Sequence, residues 1–237
     1  MNATPARSPR GRQRRRVLAV DIGGSHVKAR VSSSREVRQF ESGPHLTPRQ
    51  LVAQLHRLTG DWTYDVVSIG YPGVVVHDKI VAEPHNLGRG WIGFDFKKAF
   101  GRPTRVMNDA AMQAIGSYEG GRMLFLGLGT GLGSAMIVDG VVEPMELAHL
   151  PFKKGRTYED YLGARGRRRL GAKKWSRGAK KIVEQLRSIL EADYVVLGGG
   201  NARKLTKIPA NARLGNNDFA FLGGFRFWQL PSNRRNG

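Results

Sequence analysis

The chain reads as an α/β protein of two similar lobes facing a cleft, and two observations predict this. An apolar strand, a glycine-rich turn and a second strand occur at 17–31 and again at 123–138. Such a repeat suggests two related units, each offering a hairpin to a shared site. The second observation is the junction at Asn108-Asp109, where a short strand pattern runs directly into a helical one. Side chains and helix N-terminal N–H groups converge on ligands at such junctions.

At 237 residues, 40% of them hydrophobic, the chain can bury a sizeable core. There is no cysteine, so neither disulfides nor a thiolate zinc site can form. No apolar run approaches the roughly 20 residues that a membrane span needs, and the N-terminus lacks an apolar segment of signal-peptide type. The expected setting is cytoplasmic, with no membrane attachment. The formal charge is +20. Two segments carry 16 of these charges: Met1–Arg16, with six arginines and no acid, and Lys153–Lys181, with twelve Lys and Arg against two acids. A field so one-sided attracts polyanions, although a basic run can also be a solvated surface.

Residues 1–16, rich in Arg, Pro and Ser, form an expected disordered basic tail. Val17, Leu18, Ala19 and Val20 open a buried strand that ends at Asp21. Gly23, Gly24 and Ser25 then turn the chain into a second strand whose Val27, Ala29 and Val31 alternate. The turn is a hairpin connection, and its exposed N–H groups and Ser25 hydroxyl can also cradle a phosphate. Asp21 at its mouth is placed to hold a hydrated Mg²⁺ against phosphate oxygens. Val37–Phe40 is a third strand. Thr47-Pro48 opens a helix with Leu51, Val52, Leu55 and Leu58 at helical spacing, ending at Gly60.

Val66–Ile69 is a short buried strand, and Gly70-Tyr71-Pro72-Gly73 turns into the apolar strand Val74–Val76. After a loop at 83–93, Arg105–Met107 reads as a strand and Ala110–Tyr118 as a helix. Met123–Leu128 and Ser134–Val138 flank the second turn, Gly129-Thr130-Gly131-Leu132-Gly133. Lys180–Ala192 is amphipathic, Tyr194–Leu197 is a strand ending in Gly198-Gly199-Gly200-Asn201, and Phe219–Trp228 is a final helix. Read alone, Asp109 is equally a helix cap, and Glu146 with His149 an exposed pair three residues apart.

The motifs DIGGSHVK, GYPGVV, NLGRGW, NDAAMQA, LGLGTGLGSAMIVDG, ELAH and VVLGGGN follow one another in this order. Together they resemble the ROK sugar kinases of the actin/hexokinase-like (ribonuclease H-like) superfamily. TYEDYLG resembles the polyphosphate glucokinase branch. The resemblance spans nearly the whole folded chain, from Val17 to Trp228.

It implies a small N-terminal lobe at 17–108, a larger C-terminal lobe from 109 onward whose last helix packs back on the first, and an interlobe cleft. Asp109 matches the general base that takes the sugar hydroxyl proton. Asn86, Asn108, Glu146, His149 and Glu159 match sugar ligands, and Gly73 lies against the sugar. The two turns, Gly23-Gly24-Ser25 and Gly129-Thr130-Gly131, with Gly199, match donor-phosphate contacts. The turn from Gly198 to Asn201 is where the family holds adenosine or its ribose. Most relatives of this type follow the ELGH-type motif with a zinc-binding cysteine cluster. Lys153, Lys154 and Arg156 stand there instead, so no zinc site is expected, and these cations, followed by Arg165–Arg169 and Lys173–Lys181, are assigned to a track for a long anionic donor.

The implied activity is phosphorylation of glucose at its 6-hydroxyl, with inorganic polyphosphate, and ATP as a further donor, as phosphoryl source and Mg²⁺ as cofactor. A homodimer and nonspecific polyanion binding through the basic tail are further expectations. Alternatives are an ATP-dependent kinase of mannose, fructose or an N-acylhexosamine, and a non-catalytic, sugar-responsive nucleic-acid binder. The last uses a helix-turn-helix ahead of the sugar domain, which sixteen Arg-rich residues do not build.

Overall fold

A computed structural model describes residues 15–216 and 218–230. The expected disordered tail lies outside the described residues up to position 14, as do Asn217 and the polar end after Leu230. Arg16, assigned to that tail, is held: its backbone N–H donates to Asp65 Oδ2 at 2.8 Å and its guanidinium meets Oδ1 at 3.2 Å.

The first half of the chain runs β1 (Val17–Ile22), β2 (His26–Val31), β3 (Arg38–Glu41), α1 (Pro48–Leu58), β4 (Val66–Tyr71), the short pair β5 (Val75–Val76) and β6 (Lys79–Ile80), α2 (Phe96–Phe100) and β7 (Thr104–Asn108). After α3 (Asp109–Ser117) come β8 (Arg122–Leu128), β9 (Leu132–Val138) and β10 (Val141–Met145). They are followed by the hairpin β11 (Pro151–Lys153) and β12 (Arg156–Thr157), α4 (Tyr158–Leu162), α5 (Ala164–Leu170), α6 (Ala172–Ile189), β13 (Tyr194–Gly198), β14 (Ala212–Leu214) and α7 (Phe219–Phe227).

Two five-stranded sheets result, in the orders β3-β2-β1-β4-β7 and β10-β9-β8-β13-β14. Each is an antiparallel three-strand meander continued by two parallel strands. The repeat legible in the sequence is therefore a repeat of topology. Parallel neighbours need crossovers, which α1 supplies between β3 and β4. Its start is a capping box, with Thr47 Oγ1 accepting from Gln50 N–H and the Gln50 side chain accepting from Thr47 N–H; Pro48 follows the cap. Leu51, Val52 and Leu55 face the first core beside Tyr71 and Trp91. Trp91 satisfies its buried indole by donating to Gly88 O at 2.8 Å.

The helix expected at 180–192 begins eight residues earlier, at Ala172. Its buried stripe continues backward through Ala179, Ser176 and Trp175, where small residues hide the period in the sequence. Gly171, at φ +73, separates it from α5. The strand expected at 74–76 shrinks to Val75–Val76, because an isolated two-stranded ribbon lacks a sheet to join.

α3 and α7 cross in backbone contact. A Cβ at Gly116 would collide with Phe219 of α7, and one at Gly223 with Met112 of α3. The other side of α7 rests on the first sheet: Gly224 faces Ala19, Ser68 Oγ donates to Gly224 O at 2.7 Å, and Trp228 Nε1 donates to Ser68 Oγ at 2.8 Å. Arg226 donates to the carbonyls of Ile115 and Gly116, satisfying the end of α3. The last helix thus ties α3 to the first sheet. No helix among the described residues is long and apolar enough to cross a membrane.

Candidate active site

The site forms where three loops reach the N-terminus of α3. Asn108 caps that helix, its Oδ1 accepting from Ala111 N–H at 3.1 Å while its Nδ2 donates to Gly73 O at 3.1 Å. One amide fixes both the helix start and the Gly73 turn, and one hydrogen and one lone pair remain for a ligand. Asp109 is then the first helical residue, not the cap. Two glycines let it approach the sheets. A Cβ at Gly70 of β4 would lie 3.5 Å from Asp109 Cα, and one at Gly133 of β9 only 2.8 Å from Ala110 Cβ. Asp109 is therefore wedged between the two sheets, partly buried.

Burial pushes its carboxyl up to about 7; the Asp21 charge adds to this, the hydrogen bond from Ala110 N–H opposes it, and the Glu146 charge adds a smaller push. Burial also raises Asp21 to about 6, against the opposing charge of Lys28. Lys28 sits directly across the hairpin from Asp21. A carboxylate raised to near neutrality is poised to exchange a proton at working pH.

The first turn is braced at its base, where Gly23 N–H donates to His26 O at 2.9 Å and Ser42 Oγ to Gly23 O at 2.7 Å. Gly24 and Ser25 at its tip are exposed, and the nearest atom to a Cβ at Gly24 is Cβ of Asn86, 4.0 Å away. Asn86 of the 83–93 loop is thus brought to the first turn.

The second turn is tied on several sides. Asn201 donates from Nδ2 to Gly129 O at 2.8 Å and from its backbone to Leu128 O at 2.9 Å. Ala164 N–H donates to Thr130 O at 3.1 Å, and Glu159 accepts from Leu132 N–H at 3.1 Å. Gly199 completes the junction at φ +78, where a Cβ would lie 2.6 Å from Leu128 backbone. Only glycine fits that conformation and that gap.

A cavity of about 170 Å³ is lined by Asp21 and Lys28 of the first hairpin's strands and by Gln113, Gly198–Gly200, Arg203 and Asn216; the tips of the two turns are not part of its lining. Lys28 closes the DIGGSHVK motif and Gln113 lies inside NDAAMQA, although the sequence singles out neither as a ligand, whereas Arg203 and Asn216 belong to no motif. The register of the first hairpin holds a further signal for Lys28, since counting back from the Gly-Gly turn pairs it with Asp21; Arg203 and Asn216 are brought in by tertiary structure alone.

The expected sugar ligands divide. Gly73 and Asn108 touch one another, Asn86 lies by the first turn, and Glu146 is near enough to act on Asp109 electrostatically. Glu146 and His149 are both exposed, 3.9 Å apart. Glu159 is at the second turn, facing Gly131 and 3.7 Å from Arg165. Lys153, Lys154 and Arg156 stand at the exposed tip of the β11–β12 hairpin and are not among the residues lining the cavity.

No group of three His, Asp or Glu side chains gathers to hold a metal among the described residues. A protein cage for Mg²⁺ is therefore lacking there, but Mg²⁺ ordinarily keeps several waters and takes one or two carboxylates plus substrate phosphates. Asp21, an aspartate beside a phosphate-sized cavity, fits that mode.

The family model described as the ROK family matches residues 17–143. The polyphosphate glucokinase of Mycobacterium tuberculosis (strain CDC 1551 / Oshkosh) is 23% identical over 223 residues, covering 84% of this chain and 83% of that protein. Among solved structures, the inorganic polyphosphate/ATP-glucomannokinase from Arthrobacter sp. strain KM superposes with a TM-score of 0.76 at 22% identity, over 89% of this chain and 97% of that one. A ROK family glucokinase from Streptomyces griseus, solved with glucose and AMPPNP, gives 0.71 at 17% identity, over 90% and 98%. These likenesses share the two-lobed actin/hexokinase-like fold.

Proposed function

The chain belongs to the ROK family, and on that footing we propose that it transfers a phosphoryl group from inorganic polyphosphate to the 6-hydroxyl of glucose. The observation that carries the reading is Asp109, held at a strand-to-helix junction between two glycine-rich turns with its carboxyl raised to about 7. Residues 17–108 are taken as the first lobe and those from 109 as the second, so the base stands at the hinge between them.

In this reading Asn86, Glu146, His149 and Glu159, with the spare capacity of Asn108 and the Gly73 turn, pair the sugar hydroxyls. A ring of hydroxyls that both donate and accept is best matched by amides and carboxylates. Asp109 takes the proton of the 6-hydroxyl as its oxygen attacks the terminal phosphorus. The bond from that phosphorus to the bridging oxygen breaks, and the donor leaves one phosphate shorter. Most of the acceleration comes from alignment and charge neutralisation, and the proton transfer adds to it. The turns at Gly23-Gly24-Ser25 and Gly129-Thr130-Gly131, with Gly199, Lys28 and Arg203, hold the donor. Mg²⁺ beside Asp21 would offset charge on the transferring group.

Polyphosphate is favoured over a nucleotide by the lining of the cavity. Its walls hold two cations and a run of glycines but no aromatic side chain to stack on a purine. Its 170 Å³ is below the roughly 300–1,000 Å³ of pockets that enclose drug-sized organic ligands. ATP as a second donor, and mannose as a second sugar, are favoured by the likeness to a glucomannokinase that takes both donors by its name.

A panel of long-chain polyphosphate, tripolyphosphate and ATP against glucose, mannose, fructose and N-acetylmannosamine tests the reading. Glucose 6-phosphate formed fastest from polyphosphate is the expected result. Activity with ATP and none with polyphosphate overturns the donor, and no phosphorylated sugar in any well overturns the kinase.

A further inference from the structure

The donor cavity opens onto a basic surface that its own reacting end does not need. Arg203 lines the cavity and begins a run of exposed cations, Arg203, Lys204 and Lys207, on the segment after the Gly198–Asn201 turn. That segment is fixed to the first turns of α6: Thr206 N–H donates to Ser176 Oγ at 2.9 Å, and the two hydroxyls are 2.9 Å apart. Ser176 is buried, so the joint is rigid. Lys173, three residues before Ser176 and thus on the same side of the helix, and its neighbour Arg177 are exposed there.

Three other cations of the same stretch are already engaged. Arg165 meets Glu159 at 3.7 Å, Lys180 meets Glu184 at 3.6 Å, and Arg169 donates to Asp160 O at 2.8 Å. No ion pair among the described residues involves Lys173, Arg177, Arg203, Lys204 or Lys207. Five positive charges without ion-pair partners on two joined elements repel one another, and an anion that spans them relieves that repulsion. An inner phosphate cannot do so. A linear anion with a charge at every repeat can, and its near end would enter the cavity at Arg203.

We propose that this face, formed by the start of α6 and the 203–207 segment, binds the part of a polyphosphate chain lying beyond the phosphates in the cavity, and so sets the preference for long donors. The inference rests on polyphosphate being the donor. Each contact on such a surface is weak, and affinity comes from their number, which makes binding long-chain-specific and salt-sensitive.

The test is the triple variant Lys173→Gln, Arg177→Gln, Lys207→Gln, assayed for glucose 6-phosphate with long-chain polyphosphate, tripolyphosphate and ATP, with its melting temperature compared with the parent. The expected result is a KM for the long chain raised about tenfold, on the scale of three lost surface charge contacts, with kcat held. KM for tripolyphosphate and ATP stays within about twofold, since neither reaches the outer face. A weaker response of the long-chain KM to added salt accompanies the change.

A parent enzyme active with long chains and a variant whose long-chain KM does not move overturn this inference and leave the donor reading standing. A KM that rises equally for all three donors, or a lowered melting temperature accounting for the loss, overturns it also. A parent inactive with any polyphosphate overturns both. Single-stranded RNA retained by the parent and lost by the variant, with polyphosphate kinetics unchanged, assigns the face to nucleic acid instead.

Discussion

The two glycine-rich turns occupy equivalent places in sheets of the same strand order, yet their surroundings differ. The tip of the first, Gly24-Ser25, is exposed, with the Asn86 side chain beside Gly24 and Ser42 N–H donating to Ser25 O at 3.0 Å. The second is held by Asn201, Ala164 and Glu159, and Gly199 closes against its base. Equal topology therefore yields unequal roles. The second turn is tied to residues from three later segments of the chain, the first chiefly to Ser42 of its own sheet's next strand end. Asp109 lies against Gly70 of the first sheet, and its neighbour Ala110 against Gly133 of the second.

The largest expected effect removes what both turns serve. Asp109→Asn lowers turnover by about 10³-fold, within the usual range for a lost general base. The same change stabilises the fold at neutral pH. A carboxyl raised from 3.8 to about 7 binds more protons folded than unfolded, so the wild type loses stability as pH rises through that interval. An uncharged amide at this position carries no such penalty, and the variant melts higher by roughly a few degrees at pH 8. The gain shrinks toward pH 4, where the carboxyl is protonated when folded and partly so when unfolded; a melting series across pH 4–8 measures it.

Next come the glycines that make the turns unlike. Gly199→Ala costs at least about 2 kcal/mol, through a left-handed backbone and overlap with Leu128. Gly24→Ala, in open surroundings at an ordinary φ, costs less than about 0.5 kcal/mol. Urea denaturation of the two variants compares them, and equal losses would erase the distinction between the closely packed turn and the open one. The braces follow. Asn201→Ala leaves the Gly129 carbonyl without its partner and costs about 1–3 kcal/mol, whereas Ser42→Ala, at the partly exposed base of the first turn, costs about 0.5–1 kcal/mol. The smallest effect is reserved for Lys153, Lys154 and Arg156. Their neutralisation changes the KM for long-chain polyphosphate less than neutralising the α6 face does, because their hairpin tip lies off the cavity lining.

Much of this arrangement was legible in the sequence where a local pattern decides it. Apolar runs bounded by glycine marked β1, β4, β8 and β13, and Thr47-Pro48 marked the start of α1. The motif order identified the family, and the NDA motif pointed to Asp109. Elements whose pattern is short or interrupted stayed hidden: α2, α4, α5 and β14 are seven residues or fewer, and Ser176 and Ala179 disguise the first half of α6. Nor does any local pattern tell that Asn108 takes the cap and leaves Asp109 inside the helix. Both residue types cap helices, and the choice is made by Gly73 O, which claims the Asn108 amide from 35 residues away. Long-range approach also assembled the cavity, where Arg203 and Asn216 face Lys28 without any shared motif.

The most direct measurement is the pH dependence of kcat/KM for glucose with polyphosphate, which reports the ionisation of essential groups in the free enzyme. The expected profile is a single limb governed by a group near 7, the value to which burial raises Asp109, with activity falling about tenfold per pH unit below it. A profile flat from about pH 5.5 to 8.5 would contradict the placement of an essential base at Asp109.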